Sequence, residues 1–290
     1  KNSTLTTNLN LNLSEKNVIA SNLILNNFHP IKNPDLTQSI KGSINANINN
    51  INLNGALLPY IDISQGRLLS SLDISGTIKK PSLTGAIELN KLSLSIPKFG
   101  LNINKTDISL NGNHDTINYK ASITSGENPL TLTGYSNFSQ PGWPTELDII
   151  GDNINVYNTD EYKINTSPTL HASISNKKIN LTGSLIVLNT TIRPKTSNII
   201  TIPNSDIAYI GKNDSNLSDQ WEISGNIDGT VGKEVYLYLD DLGIKGNLSG
   251  AVTLLRAPKQ DLTANGEVTV ITGEYQHFGN VLTIEPQSSI

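Results

Sequence analysis

The sequence predicts an all-β protein, and three observations predict it. Apolar and polar residues alternate with a period of two through nearly every segment, as in Leu9-x-Leu11-x-Leu13, Ile44-x-Ala46-x-Ile48 and Val235-x-Leu237-x-Leu239. That is the period of a pleated strand with one wet and one apolar face. Ala is sparse, whereas Ile, Leu, Thr, Asn and Gly are plentiful, a bias that favours strands joined by polar turns over helix. The third observation is an imperfect internal repeat. Gly76-x-Ile78 leads through Pro81-x-Leu83-x-Gly85-x-Ile87-x-Leu89 to Phe99-Gly100, and Gly250-x-Val252 leads through Pro258, Leu262 and Gly266-x-Val268-x-Val270 to Phe278-Gly279. A strand, a Pro-bearing turn, another strand and a Gly-marked turn are used at least twice, which predicts an elongated, quasi-one-dimensional sheet.

Taken in order, roughly twenty strands are expected by this periodicity. Clear ones run through Leu72-x-Ile74-x-Gly76-x-Ile78, Ile117-x-Tyr119-x-Ala121-x-Ile123 and Ile244-x-Gly246-x-Leu248-x-Gly250-x-Val252-x-Leu254. The alternation slips phase from Ile48 to Ile51, from Leu89 to Leu92 and from Ile103 to Ile108. A β-bulge produces that slip by inserting one residue and bending the strand, so curvature is expected. Residues 33–40, Asn33-Pro34-Asp35 onward, suit a short helix or irregular connection, because Pro at the first helical position followed by Asp fits a first turn. Lys212–Asp219 is the clearest polar loop. The expected organisation is an N-terminal β segment over 1–50, containing that connection, and a continuous β region over 51–290 with no clear linker.

Composition excludes several classes of function. With 21 Lys+Arg against 25 Asp+Glu and no basic run longer than pairs such as Lys79-Lys80, the chain has no excess charge to neutralise a phosphate backbone, so nucleic acid is not an expected partner. Cys is absent, which removes disulfides and thiolate metal sites. Met is absent too, and the chain opens on Lys1 already running into a strand, so a fragment of a longer protein is expected, its membrane anchor outside. No stretch has the length or apolarity of a membrane-spanning helix or a signal peptide.

No catalytic constellation or cofactor site is expected. His29, His114, His171 and His277 show no metal-ligand spacing. Asp214-x-Asn216-x-Ser218 faintly resembles a calcium loop, but its sixth position is Asp219 and its twelfth Gly225, where Gly and Glu are required. No nucleophile elbow, phosphate loop or dinucleotide fingerprint occurs. Asp240-Asp241 and Asp160-Glu161 read as turns, and Trp143 in Gln140-Pro141-Gly142-Trp143-Pro144 reads as turn packing before ligand stacking.

What remains is the apolar face. An ordinary sandwich core uses the same alternation, but the low aromatic content, the repeat and the bulges favour a single curved sheet, half-open, whose inner face needs another cover. The expected inward set is Leu72, Ile74, Ile78, Ile87, Leu89, Leu92, Leu94, Ile117, Ile123, Leu130, Leu132, Leu147, Ile149, Leu181, Leu185, Val187, Leu237, Leu239, Leu248, Val252, Leu254, Val268 and Val270. With almost no convergent polar anchors among them, such a groove should hold acyl chains and discriminate poorly among headgroups. The contrasting expectation is a structural or adhesive passenger, a β-helix or sandwich with a closed core. A membrane barrel is disfavoured by the scarcity of aromatic residues for interfacial girdles.

At Pro81–Gly85, Ser167-Pro168-Thr169-Leu170, Ile192-Arg193-Pro194 with Asn204-Ser205-Asp206-Ile207, and above all Gly266–Ile284, the chain resembles the C-terminal region of the TamB family, within the AsmA-like, bridge-like lipid-transport superfamily. The resemblance runs from about Ile51 to the end. It implies a half-open, taco-like β tube with an apolar lumen and a Gram-negative periplasmic location. It also implies an inner-membrane anchor outside this chain, phospholipid acyl chains as cargo, and the outer-membrane barrel TamA as partner in autotransporter and outer-membrane assembly. No enzymatic activity and no cofactor are implied. Asn280 and Pro286 stand where the family usually shows Gln and commonly Gly, which bears on the partner contact and not on the sheet.

Overall fold

The computed structural model describes residues 3–14, 17–28, 37–52, 60–126, 128–195, 221–277 and 279–285. Seventeen strands account for most of them, joined by turns and two single 3-10 turns, with no α-helix among the described residues. The chain is all-β. Of the expected connection over 33–40, residues 33–36 lie outside the described residues; Thr37–Ser39 connect strands, and Ile40 opens the third strand. The loop expected at Lys212–Asp219 lies outside them entirely.

The strands group into two compact units. The first comprises Lys1–Lys98, Asn102–Ile149 and Ala172–Asn176. It contains β1 (Thr4–Ser14), β2 (Asn17–Asn26), β3 (Ile40–Ile48), β4 (Asp62–Gly76) and β5 (Pro81–Ile96), followed by almost all of β6 (Leu101–His114), then β7 (Thr116–Ser125), β8 (Pro129–Asn137) and β9 (Thr145–Ile150). Successive strands pair antiparallel through β5 and again from β6 to β8. The connections from β1 to β2, β4 to β5, β6 to β7 and β7 to β8 are of one to four residues, short enough to require antiparallel neighbours.

Register decides the faces. Leu9 stands beside Ser21, Ser21 beside Ile44, Ile44 beside Leu72 and Leu72 beside Gly85. The neighbouring row reads Thr7, Leu23, Gly42, Ile74, Leu83. In β6 to β8 the rows read Ile108, Ala121, Leu132 and Thr106, Ile123, Leu130. The intervening rows, Ser43 with Asp73 and Asp73 with Thr84 for example, are polar.

Two of the three expected phase slips are bulges. Between the pairs Gln65–Ser93 and Arg67–Asn90, β5 carries one residue more than β4, and Lys91 takes a positive φ of 54°. Between Ile103–Ser125 and Lys105–Thr124, β6 carries the extra Asn104. Each bulge reverses parity, and this returns Leu92, Leu94 and Ile103 to the apolar side despite their changed spacing. The slip at Ile48 has another cause: β3 ends there, and Ile51 returns to β4 through its N–H, which donates to the Gly66 carbonyl at 2.8 Å.

The second unit comprises Phe99–Leu101, Ile150–His171 and Lys177–Ile290. Its strands are β10 (Ile154–Asn158), most of β11 (Tyr162–Ser175), β12 (Lys178–Ile192), β13 (Glu222–Val231), β14 (Val235–Leu239), β15 (Ile244–Arg256), β16 (Thr263–His277) and β17 (Asn280–Ile284). β12 pairs in parallel first with β13 and then with β14, and both of these pair antiparallel with β15. At the changeover Asn189 takes a φ of 45° and the facing pair Thr190 and Val235 are each 1% exposed. The Thr190 hydroxyl donates to the Leu188 carbonyl at 2.8 Å, so its burial leaves no polar group unpaired.

Glycine allows close strand approach at several places, Gly85 and Gly250 among them. Gly85 (φ 121°) would place a Cβ 2.0 Å from the Ser71 carbonyl oxygen, and Gly250 (φ 146°) one 2.1 Å from that of Glu267. Any other residue there meets both a disfavoured φ and a backbone overlap. Gly85→Ala is therefore expected to cost at least about 2–3 kcal/mol in urea unfolding. Gly229→Ala, whose methyl would meet only Val252 O at 3.1 Å, should cost under about 1 kcal/mol. Equal midpoints for the two variants would show that the close approach at Gly85 is dispensable.

Candidate functional site

The described residues hold no group of three or more His, Cys, Asp or Glu side chains placed to bind a metal. Trp143 packs edge-on against Phe138, ring centroids 5.1 Å apart, and its indole N–H donates to the Lys79 carbonyl at 3.3 Å. It is therefore engaged in the turn. The feature that recurs across both units is the apolar face.

Register brings most of the sequence-predicted inward residues onto that face in each unit. In the first, Leu72, Ile74, Ile87 and Leu89 share it across β4 and β5, and Ile117, Ile123, Leu130 and Leu132 across β7 and β8. Leu147 joins them, because a Cβ on Gly134 would lie 2.7 Å from its side chain, and Ile149 follows two residues on along β9. Leu94 faces Ile63 beyond the bulge, and Leu92 lies over Gly66. Ile78 stands apart in the turn after β4, its N–H donating to the Gln38 carbonyl at 3.1 Å.

In the second unit Leu181, Leu185 and Val187 face Gly225, Gly229 and Val231. Leu237 and Leu239 face Gly246 and Ile244. Leu248 and Val270 face each other, Val268 faces Gly250, and Val252 and Leu254 face Gly266 and Ala264. The same rows contain residues absent from that set, including Ile44, Leu68, Leu83, Ile108, Ile227 and Ile244. Their alternation is as regular as that of their neighbours; pairing the strands is what assigns them.

Burial distinguishes this face from a core. Among the described residues only ten hydrophobic side chains are buried, among them Leu72 and Leu92 from the inward set, while Val268 is 43% exposed. The rest of that set is half-buried. A second layer packed on the face would have buried these aliphatics.

Charge is segregated as strictly as hydropathy. Lys41, Asp73, Glu88, Asp107 and Lys120 all occupy the opposite parity in the first unit, as do Lys178, Glu222, Asp228, Lys245, Glu267 and Glu274 in the second. Arg256, at the exposed end of β15 opposite Gly225, is the exception. On the polar side Glu222 lies 3.3 Å from Lys178 and 3.3 Å from Lys259, and hydrogen bonds from Lys178 and then Lys259 hold its carboxyl below the usual glutamate range. Of the polar atoms that enter the apolar face, the Tyr119 hydroxyl donates to Ser136 Oγ at 2.6 Å, which in turn meets the Thr145 hydroxyl, whereas the buried Thr106 hydroxyl, beside Ile123, has no hydrogen-bond partner among the described residues.

A family model described as the TamB C-terminal domain matches residues 115–290, from the turn before β7 through β17. The chain belongs to the TamB family. It is also 26% identical, over 249 residues, to the Translocation and assembly module subunit TamB of Haemophilus influenzae, a match covering 81% of this chain and 19% of that protein. The chain thus spans about a fifth of the TamB relative's length. No solved structure matches it. Among the described residues no helix is long and apolar enough to cross a membrane.

Two measurements check the geometry. Leu132→Ala, at a half-buried site, should destabilise the chain by under about 1.5 kcal/mol in urea unfolding, below the 2–5 kcal/mol of a sealed core leucine; a loss in that higher range would mean that something covers the face. Replacing Glu222 with Gln removes a carboxylate whose folded pKa is lowered, so its contribution is present above the unfolded-state pKa near 4.3 and fades as pH falls through the folded value. The wild type should therefore lose a small increment of stability in acid that the Gln variant lacks.

Proposed function

We propose that the apolar face is a conduit surface for phospholipid acyl chains, part of a half-open tube between the inner and outer membranes of a Gram-negative envelope. The observation that carries the reading is a face of half-exposed aliphatics, interrupted by no charge except Arg256 at a strand end and lacking a second layer among the described residues. Membership of the TamB family supports a role in the translocation and assembly module, with TamA as partner and the periplasm as the location of this segment.

The energetics favour sliding over capture. Two chains of about sixteen carbons, at about 0.8 kcal/mol per CH₂, lose on the order of 25 kcal/mol when drawn bare into water. Transfer from bilayer to aliphatic groove exchanges one apolar setting for another, so the well is shallow and the lipid moves. Leucine and isoleucine provide that setting without the directional bonds that would arrest a chain.

Native mass spectrometry of the purified chain should show co-purifying phospholipid; a clean apo mass would favour a passenger domain with a closed core. Leu132→Asp and Leu185→Arg should each fold, by far-UV circular dichroism, yet stop transfer of labelled phospholipid between vesicles. A charge at the centre of a hydrocarbon path costs about 2.5–3.5 kcal/mol on insertion scales. Normal transfer with both in place would refute the conduit.

A further inference from the structure

The apolar rows of the second unit end at a charged rim. Ile192 and Leu237 form one of the last apolar pairs, and the residue that follows β12 is Arg193, which stacks on Tyr238 of the polar row shared with Lys245; Leu239 pairs with Ile244, and the next residue is Asp240. Just beyond these strand ends lies a cavity of about 470 Å³ lined by Asp160, Glu161, Arg193, Pro194, Lys195, Asp240 and Asp241.

Its cations are held in place. The Arg193 backbone N–H donates to the Glu161 carbonyl at 2.7 Å. The guanidinium carbon lies 4.4 Å from the Tyr238 ring centroid and Nε 3.5 Å from Asp240. Lys195 Nζ is 3.1 Å from Glu161 Oε1. Among the described residues the side chains of Asp160 and Asp241 have neither an ion pair nor a hydrogen bond. Four carboxylates against two cations leave the lining at −4 + 2 = −2. The opposite ends of the same strands differ: Lys177, Lys178, Arg256 and Lys259 against Glu222 and Asp261 give +4 − 2 = +2.

We infer that this cavity receives a phosphoethanolamine headgroup, its ammonium on Asp160 and Asp241 and its phosphate on Arg193 and Lys195, from a phospholipid whose acyl chains lie on the apolar face. The inference rests on the conduit reading and adds a selective lip to an unselective groove. A primary ammonium has three N–H donors for two carboxylates. Guanidinium matches phosphate oxygens in a planar fork, and stacking on Tyr238 fixes its plane. A quaternary choline ammonium lacks those donors, and an anionic glycerol headgroup meets a lining already at −2, so the order of preference is ethanolamine, choline, glycerol. The groups are water-exposed, Arg193 at 51% and Asp240 at 66% of their side chains, so screening holds the preference to a few-fold.

The test incubates the whole 290-residue chain with vesicles of phosphatidylethanolamine, phosphatidylcholine and phosphatidylglycerol in equal parts, then extracts the protein-bound lipid. The wild type should be enriched about threefold in ethanolamine over glycerol lipid, as weak exposed pairs allow. Asp160→Asn with Asp241→Asn should bring the bound composition to that supplied without changing total lipid per protein, whereas Lys178→Gln at the opposite end should retain the enrichment. Bound lipid that mirrors the supply in the wild type, or enrichment that survives the double variant, overturns the headgroup assignment and leaves the conduit standing. No bound lipid at all overturns the conduit and this inference with it. Free phosphoethanolamine, titrated against the amide resonances of residues 160–161, 193–195 and 240–241, should shift them weakly in the wild type. If those shifts occur while bound lipid mirrors the supply, the cavity serves a soluble zwitterion and the lipid assignment fails.

Discussion

The cross-strand hydrogen-bond ladder fixes which side chains share a face, and a slip of one residue in any strand would turn its leucines and isoleucines to the wet side. The pairing tolerates irregularity only in compensated form. Where β5 gains Lys91 and β6 gains Asn104, the apolar spacing in the sequence changes by one as well, and Leu92, Leu94 and Ile103 return to the side held by Leu89 and Ile108. Bulge and pattern are therefore two expressions of one constraint. Neither is tolerable alone, since the phase slip without the bulge would direct Ser93 and Ser95 to the apolar side and Leu94 to water.

The same constraint explains how a chain with so few buried side chains holds together. With ten buried hydrophobics among the described residues, stability falls mainly on the ladder and on side-chain pairs across it, each worth about 0.2–1 kcal/mol. Glycine then becomes a packing element. Gly225 and Gly229 opposite Leu181 and Leu185, and Gly250 and Gly266 opposite Val268 and Val252, set an absent side chain against a branched one. The strands approach closely while the aliphatic surface stays continuous. A sandwich would fill those places with a second sheet's residues; here they keep the face shallow.

Strand identity, facing and curvature were legible in the sequence because each depends on local spacing. The alternation from Ile244 to Leu254 could be only a strand, and the slip from Leu89 to Leu92 only a bulge once both flanks were strands. Partner choice was not legible. Nothing in Ile179–Val187 distinguishes a strand that pairs in parallel with β13 from one that pairs antiparallel, since a parallel neighbour depends on how a distant segment returns. Ile78 shows the limit of periodicity: it keeps the phase of Leu72 and Ile74, yet the chain has already turned at Gly76 (φ 91°). The charged rim escaped for a similar reason. Asp160-Glu161 and Asp240-Asp241 each read as an ordinary turn; the Arg193 N–H bond to the Glu161 carbonyl gathers the first, and pairing of β12 with β14 and of β14 with β15 gathers the second.

Under the proposed conduit function, the apolar face and the charged rim would perform different parts of one task. A surface that lets chains slide cannot also hold them, because any side chain that binds an acyl segment tightly sets a barrier to the next step along the row. Selection has to occur where the moving part is polar, at the strand ends, and it has to be weak. A preference of a few-fold corresponds to about 1 kcal/mol, enough to bias which lipid stays engaged and too little to stop it. A buried, fully desolvated ion pair at the same place would retain one headgroup and block those behind it. The exposure of Arg193, Lys195 and Asp240 therefore suits the rim that the proposed conduit would need: contacts made in water, quickly exchanged, and charged in the sense that an amine-bearing headgroup would meet favourably.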